Sequence, residues 1–398
     1  MVDLNPIYLD YNATTPILPE VVDAMLPYLR EHFGNPSSSH VYGQRTHKAV
    51  ERAREQVAAL IGCEADEIFF TSGGTEANNL AIRGVTERNP DRKQVVTTAV
   101  EHPATSRPCA WLAQHGYHIE AVGVDADGRA RIADAERTIY GNTALVTVMH
   151  SNNETGVLQP IAELSRLAHA AGTIIHTDAA QSVGKVHVNV RDLDVDLLSI
   201  AGHKLYAPKG VGALYIRRGT AIAPFALGAS HERGLRPGTE NVASIVALGV
   251  ACLAAGRDLE ANAQRTRALR DALWQKLQAG IPQLKLNGHF ELRLPNTLNV
   301  RFPRVSGNAV LAAAPRIAAS TGSACHSSTA LTTGSSTVPT AGSGGESASA
   351  VILAMGVSPE DALGSVRLTL GRATTQQEIE DAAQALIRSW HALAAGTD

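Results

Sequence analysis

Three short runs each set a reactive side chain just beyond a β-branched or aromatic stretch. The first, Thr71-Ser72-Gly73-Gly74-Thr75-Glu76-Ala77-Asn78, turns on two glycines and continues as helix-compatible sequence. Free backbone N–H groups at a helix start, with a threonine hydroxyl beside them, suit a phosphate. No Gly-Lys-Ser/Thr follows at Walker A spacing, so the run is not a P-loop of that kind; its ordinary alternative is a strand–helix turn capped by Thr75. The second run, Thr173 to Gln181, delivers Asp178 at the end of apolar sequence. Such a residue is either a surface loop aspartate or a carboxylate able to hold a protonated ring nitrogen. The third, Asp194 to Lys204, ends in His203-Lys204. A lysine there is a solvated loop residue, or one that forms a Schiff base where burial and nearby charge lower its pKa. Pyridoxal 5′-phosphate needs these three partners together, and their joint presence lifts that reading above the separate alternatives.

Other polar positions fall at the same kind of boundary. Glu101-His102-Pro103 follows the run Gln94 to Ala99, and His102 is either a hydrogen-bonded structural residue or a ring that stacks on a cofactor and moves a proton. His150-Ser-Asn-Asn153-Glu154 follows Ala144 to Met149. Of the four cysteines, Cys63, Cys109 and Cys252 sit in ordinary apolar company and read as small packing residues. Cys325 differs: it lies in Ala319-Ser-Thr-Gly-Ser-Ala-Cys325-His326, among small polar residues, and is a candidate nucleophile whose pKa His326 could lower.

These positions require strands that stop where the chemistry begins. Glu67–Thr71, Gln94–Ala99, Ala144–Met149, Thr173–Thr177 and Val195–Ile200 read as strands, with helical periodicity between them that closes at Gly62 and Gly172. Alternation of this kind predicts an α/β domain, a mostly parallel sheet with helices on both faces, whose ligands sit on loops at the carboxyl ends of the strands. From about residue 257 the character changes: an amphipathic helix over Arg265–Gly280, strands at Asn299–Phe302 and Val366–Leu370, and a last helix from about Gln376 to Leu393 predict a smaller α+β domain. The expected division is 16–257 for the large domain, and 1–15 with 258–398 for the small one carrying Cys325. In the stretch Ser327–Ser349, 16 of 23 residues are Ser, Thr or Gly; it cannot bury a core and is expected to be mobile over about 327–349.

Composition narrows the partners. The 398 residues are 44% hydrophobic and 18% charged, with a net charge of −3, so neither wholesale disorder nor a nucleic-acid or anionic-membrane partner is expected. Val242–Gly256, the longest nearly uncharged apolar stretch, reads as a buried helix. MVDLNPIYLD shows no signal-peptide pattern, and the sparse cysteines lack any metal or disulfide spacing. A cytoplasmic protein with reduced thiols and no metal is expected.

Taken in order, the motifs resemble those of the NifS/IscS-type cysteine desulfurases, class V members of the pyridoxal-phosphate fold type I (aspartate aminotransferase-like) enzymes. The likeness runs from Tyr8-Leu-Asp-Tyr-Asn-Ala-Thr-Thr-Pro16 through Gly74-Thr75-Glu76, Glu101-His102, Asn152-Asn153-Glu154, Asp178 with Gln181, and Gly202-His203-Lys204. It continues through Arg233-Gly-Leu-Arg-Pro-Gly-Thr239-Glu-Asn and Gly322-Ser-Ala-Cys325 to Gly364-Ser-Val-Arg-Leu-Thr-Leu-Gly-Arg372. The resemblance implies a homodimer that converts L-cysteine to L-alanine, leaving a persulfide on Cys325 for a sulfur-acceptor protein, as in iron–sulfur cluster assembly or thiolation pathways. It implies Lys204 as Schiff-base lysine and proton carrier, Asp178 at the pyridine nitrogen, Gln181 at the ring hydroxyl and His102 stacked on the ring as acid or base. It further implies Asn153 beside the ring, Thr75 and His203 at the phosphate with Thr239 from a partner subunit, Glu76 among the cofactor-binding residues, and Arg367 with Asn12 and Asn153 at the substrate, the guanidinium pairing its carboxylate.

Relatives commonly carry serine where Ala201 stands, which removes one expected phosphate contact. The span from Cys325 to Ala354-Met355-Gly356 is longer than in relatives, and the extended C-terminal tail of housekeeping members is missing, so a dedicated sulfur acceptor is expected. Within the same fold the alternatives are a selenocysteine lyase, a cysteine C–S lyase or an aminotransferase; outside it, a non-catalytic sulfur-relay partner. Cys325 argues against the first group, and Lys204, Asp178 and His102 together argue against the last.

Overall fold

A computed structural model describes residues 6–322 and 347–395. Cys325 and most of the Ser/Thr/Gly stretch lie outside the described residues. The centre is a seven-stranded sheet in the order Ile68–Thr71, Gly212–Ile216, Leu197–Ala201, Ile174–Asp178, Thr143–Met149, Gln94–Thr98 and His118–Val122. Strand side chains alternate between faces, and the register uses this fully. Ile68, Phe70, Val96, Val146, Ile175 and Leu198 enter one apolar core, while Phe69, Val95, Leu145 and Leu197 enter the core on the other face. Helices Gly74–Arg88 and Pro103–Gln114 cover the second face through Leu80, Val85 and Leu112. Helices Val41–Ile61 and Ile161–Ala170 cover the first. The sheet is parallel, as expected, apart from Gly212–Ile216, which runs antiparallel to both neighbours. That strand follows Leu197–Ala201 after a short turn, and a connection without a crossover permits only an antiparallel neighbour.

The expected helix over Arg265–Gly280 and the buried stretch Val242–Gly256 are one element, Val242–Gly280. No proline or cap separates them. By length and composition this helix could cross a membrane, but its apolar first half packs in the core against Val41–Ile61. At Gly249 the two helices come so close that a β-carbon would meet the Cα of Ala53 at 2.7 Å.

The second half of the same helix, through Leu269, Leu273 and Leu277, joins another apolar core. This core holds the antiparallel sheet of Ser365–Thr369, Thr297–Arg301 and Lys285–Leu286, helix Gln376–Ala394, and Ile7 and Leu9 from the start of the chain. One helix thus links the two apolar cores.

Strand Ile68–Thr71 is a sheet edge, whose outward peptide groups need partners. Arg54 Nη1 donates to the Ile68 carbonyl at 2.7 Å, and Glu232 accepts from the Phe70 N–H at 2.8 Å. Arg54 and Glu232 also form a two-pronged ion pair, both bonds at 2.8 Å, buried from solvent. The pair holds residues 231–234, where Glu232 and Arg233 adopt left-handed backbone angles (φ 44° and 54°). Breaking one side of a buried pair strands the other charge. Glu232→Gln is therefore expected to cost about 3 kcal/mol in urea unfolding; a loss below about 1 kcal/mol would show that the pair does not anchor this edge.

Candidate active site

Five parallel-sheet elements end on one cavity of ≈ 340 Å³, lined among others by Thr75, His102, Asn153, Asp178 and Lys204. Each motif predicted at a strand end is there. Helix Gly74–Arg88 begins directly behind strand Ile68–Thr71, with Gly73 at φ 146°, so its first N–H groups face this end of the sheet. Thr75 is exposed toward the opening. A β-carbon built on Gly74 would stand 3.2 Å from the Ala201 methyl, so Ala201 packs against the turn rather than offering it a hydroxyl. The Glu76 carboxylate is committed elsewhere: it accepts from Ser72 N at 2.8 Å and from Arg236 Nε at 3.0 Å. Burial raises its pKa, but these donors outweigh burial and hold it below the usual value.

Asp178, the last residue of its strand, accepts from Asn78 Nδ2 at 2.7 Å and from Ala180 N at 3.0 Å. His102 caps helix Pro103–Gln114, its Nδ1 accepting from Ala104 N at 3.1 Å, which leaves Nε2 as the protonated nitrogen of the neutral ring. The preceding Glu101 is fully buried and ties strand ends together, accepting from Thr98 Oγ1 at 2.6 Å and from Met149 N at 3.1 Å. Burial, aided by the charge of Asp178, pushes its pKa up to about 8 against those donors. His203 is pushed down to about 4, by burial first and then by Lys204 and Lys209, so its ring is neutral near pH 7. His150 lies beneath the site rather than in it, bonded to Ser182 at 2.7 Å, and burial lowers it to about 4 as well.

Asn12 joins these parts. It is 1% exposed. Its carbonyl accepts from Lys204 Nζ at 2.5 Å and from Gln181 Nε2 at 2.9 Å. Its side-chain oxygen accepts from Lys185 Nζ at 3.1 Å and Asn296 Nδ2 at 3.2 Å, and its amide nitrogen donates to Thr297 Oγ1 at 2.9 Å. The Ala13 carbonyl also accepts from Lys204, at 2.8 Å, and Thr15 binds the His203 carbonyl. Arg367, on strand Ser365–Thr369, donates to Asp10 Oδ1 at 2.8 Å, Ser320 Oγ at 3.1 Å and the Asn153 carbonyl at 3.1 Å. Arg367 Nε and Asn153 Oδ1 are buried without a partner.

The structure therefore brings together Asn12, Thr75, His102, Asn153, Asp178, Gln181, His203, Lys204 and Arg367. Thr239 is exposed and is not among the residues lining the cavity; Cys325 lies outside the described residues. Reasoning from sequence missed Asn78, Lys185 and Asp10. Two had signals: Asn78 is a buried amide one helical turn beyond Thr75, and Asp10 lies two residues before Asn12. Lys185, four residues past Gln181, had none.

The aminotransferase class-V family matches residues 7–381. The chain is 44% identical over 379 residues to a cysteine desulfurase of Trichormus azollae, covering 95% of this chain and 91% of that protein. It is 44% identical over 377 residues to the cysteine desulfurase NifS of Azotobacter vinelandii, covering 94% and 90% of the two chains. Among solved structures, a NifS-like protein superposes with a TM-score of 0.86 at 32% identity, covering 98% of this chain and 99% of the other.

The junction at Asn12 can be tested without any ligand. Asn12→Ala keeps the carbonyl that serves Lys204 and Gln181 but removes the acceptor of Lys185 and Asn296. Lys185 and Asn296 each keep one acceptor, Gln181 Oε1 and the Leu370 carbonyl, but lose the other; two lost hydrogen bonds are expected to lower the unfolding free energy by about 2 kcal/mol in urea titration. A loss under about 1 kcal/mol would mean that the neighbours re-pair and that Asn12 is not the junction.

Proposed function

The chain belongs to the class-V aminotransferase family and is, within it, a cysteine desulfurase; on that premise we propose how its residues divide the work. L-cysteine and the Cys325 thiol go to L-alanine and a Cys325 persulfide, one sulfur atom moving from substrate to protein. The reading rests above all on one observation: an anion-binding helix start, a doubly hydrogen-bonded carboxylate and a lysine amine converge on a single cavity.

The residues present fit pyridoxal 5′-phosphate. The buried, unpartnered Oδ1 of Asn153 on the cavity wall fits a polar group of a bound molecule. Pyridoxal phosphate, when bound, supplies an electron sink for the bond changes at the substrate Cα. The N–H groups of the first turn of helix Gly74–Arg88, with Thr75 and the neutral ring of His203, hold the phosphate, joined in a homodimer by Thr239 of the partner subunit. With Ala201 in place of a hydroxyl, the backbone and Thr75 carry more of that contact. Asp178, which accepts from Asn78, would hold the ring nitrogen. Gln181 would donate to the ring oxygen, and His102 would lie beside the ring. Lys204 would hold the cofactor through its amine, and that amine would carry the proton at the substrate Cα. Arg367, already aligned by Asp10 and Asn153, pairs the substrate carboxylate through its guanidinium, next to Asn12.

Cys325 attacks as the thiolate, the nucleophilic form of the residue. The persulfide it then carries passes to an acceptor protein. The free thiols of Cys63, Cys109 and Cys252 support a reducing, cytoplasmic setting. Their pKa values are pushed up to about 12 by burial, so they do not compete as nucleophiles.

Two variants separate the roles. Cys325→Ala is expected to keep the yellow colour of the loaded protein but to lose persulfide and nearly all alanine formation from L-cysteine. Undiminished alanine release would instead indicate a C–S lyase. Lys204→Ala is expected to lose the visible absorbance of the wild type and to slow alanine formation about 10²–10⁴-fold; an unchanged spectrum would refute the assignment of Lys204.

A further inference from the structure

We propose that Lys185 is a positioning residue for Gln181: its amine fixes which end of the Gln181 amide faces the cofactor. Lys185 Nζ donates to Gln181 Oε1 at 2.8 Å and to Asn12 Oδ1 at 3.1 Å. Both bonds run from the amine to an amide oxygen, so the oxygen end of the Gln181 amide is the one held toward Lys185. The two ends of a glutamine amide are nearly identical in shape, and only hydrogen-bond partners distinguish its two orientations. With the oxygen held by Lys185, the NH₂ group is the end left for the cavity side, where it already donates to the Asn12 carbonyl at 2.9 Å. A donor suits an anionic ring oxygen. The reversed amide would set an acceptor against it.

Lys185 does this without touching the cofactor cavity. It is half-buried, and it lines a separate chamber of ≈ 30 Å³ together with Tyr11, Gly184 and Tyr206, room for about one water. Its charged neighbours include Lys204 and Arg367; burial first, then these cations, push its pKa well below the usual lysine value. A buried amine in cationic company is costly unless it does something that a smaller residue cannot. Here it holds two amides, Gln181 and Asn12, in one orientation each.

The inference rests on the reading of Gln181 as the contact to the ring oxygen, and a double-mutant cycle separates the two. Lys185→Met, Gln181→Met and the double variant are prepared free of cofactor. Pyridoxal phosphate is titrated in by fluorescence quenching, and the visible absorbance maximum is recorded. Each single variant is expected to weaken binding about 10-fold, the size of one lost charge-assisted hydrogen bond. K185M is expected to move the absorbance maximum in the same direction as Q181M, and the double variant to bind no more weakly than Q181M alone. Additive losses, or a K185M protein with wild-type affinity and spectrum, would overturn the proposal while leaving the reading of Gln181 intact. A Q181M protein that binds and absorbs like the wild type would overturn both. Where K185M lacks a cooperative melt, Lys185→Ala, whose side chain leaves the chamber to water, takes its place in the cycle with the same outcomes.

Discussion

One residue near the start of the chain holds the two apolar cores in register at the site. Asn12 takes Lys204, Gln181 and Lys185 from the loops of the large sheet, and Asn296, Thr297 and the Thr369 hydroxyl from the smaller unit. It works beside the direct bonds between the two units, from Arg367 to the Asn153 carbonyl and from Asn299 to the Glu154 carbonyl. A loop lysine has four freely rotating bonds, and confining its amine costs up to about 2 kcal/mol of side-chain entropy. Two backbone carbonyls, those of Asn12 and Ala13, offset that cost before any ligand arrives. Because backbone atoms do this, the arrangement survives changes of side chain and depends on where strand Ile7–Tyr8 leads the chain. That strand is itself fixed by pairing with Ile317–Ala318.

The charge pattern follows from what burial does to each group. Lys204 and Arg367 stand close to Lys185, and burial together with these cations pushes its pKa well below the usual lysine value, while His203 is pushed down to about 4 by burial first and then by Lys204. The facing carboxylates, Asp178 and Asp10, are each held by donors, Asp178 by Asn78 and Asp10 by Arg367. A site of this kind favours a ligand with more negative than positive charge, which a phosphorylated pyridine and an amino-acid carboxylate both supply. Asp10 keeps Arg367 aligned, and the buried Nε of the same guanidinium still lacks a partner. The guanidinium thus enters binding already oriented but not fully paired.

Much of this was legible in the sequence because the chemistry sits at strand ends, and strand ends are local events. Ile174–Asp178 and Leu197–Ala201 announce themselves by apolar runs that stop at polar residues. What stayed hidden depends on distance along the chain. Asn78 meets Asp178 across 100 positions, and Lys204 meets Asn12 across 192. No spacing rule connects residues so far apart. Strand His118–Val122 was missed because its exposed edge position carries His118 and Glu120 in place of an apolar run. The single helix Val242–Gly280 was divided by a change of character, apolar then amphipathic. That change records the passage from one core to the other rather than a break in the backbone.

The edge strand and the turn ahead of Thr75 share one loop, and this coupling gives the left-handed angles at Glu232 and Arg233 a purpose. Glu232 pairs with Arg54 and covers the edge peptide at Phe70. Arg233 reaches the Ile68 carbonyl at 2.6 Å and lies over the Phe69 ring at 3.9 Å. Four residues past Glu232, Arg236 binds Glu76, whose other oxygen fixes Ser72 in the turn ahead of Thr75. The loop that carries Thr239 is thus clamped at two points to the same sheet edge and helix start that border the cavity. Strain of about 1–3 kcal/mol at an unfavourable backbone angle is tolerated where surrounding bonds over-determine it, and the bidentate pair with the Arg233 contacts does so here. Glu76 and Arg236 therefore join the turn ahead of Thr75 to the loop that carries Thr239, one through Ser72 and the other through the chain leading to Thr239.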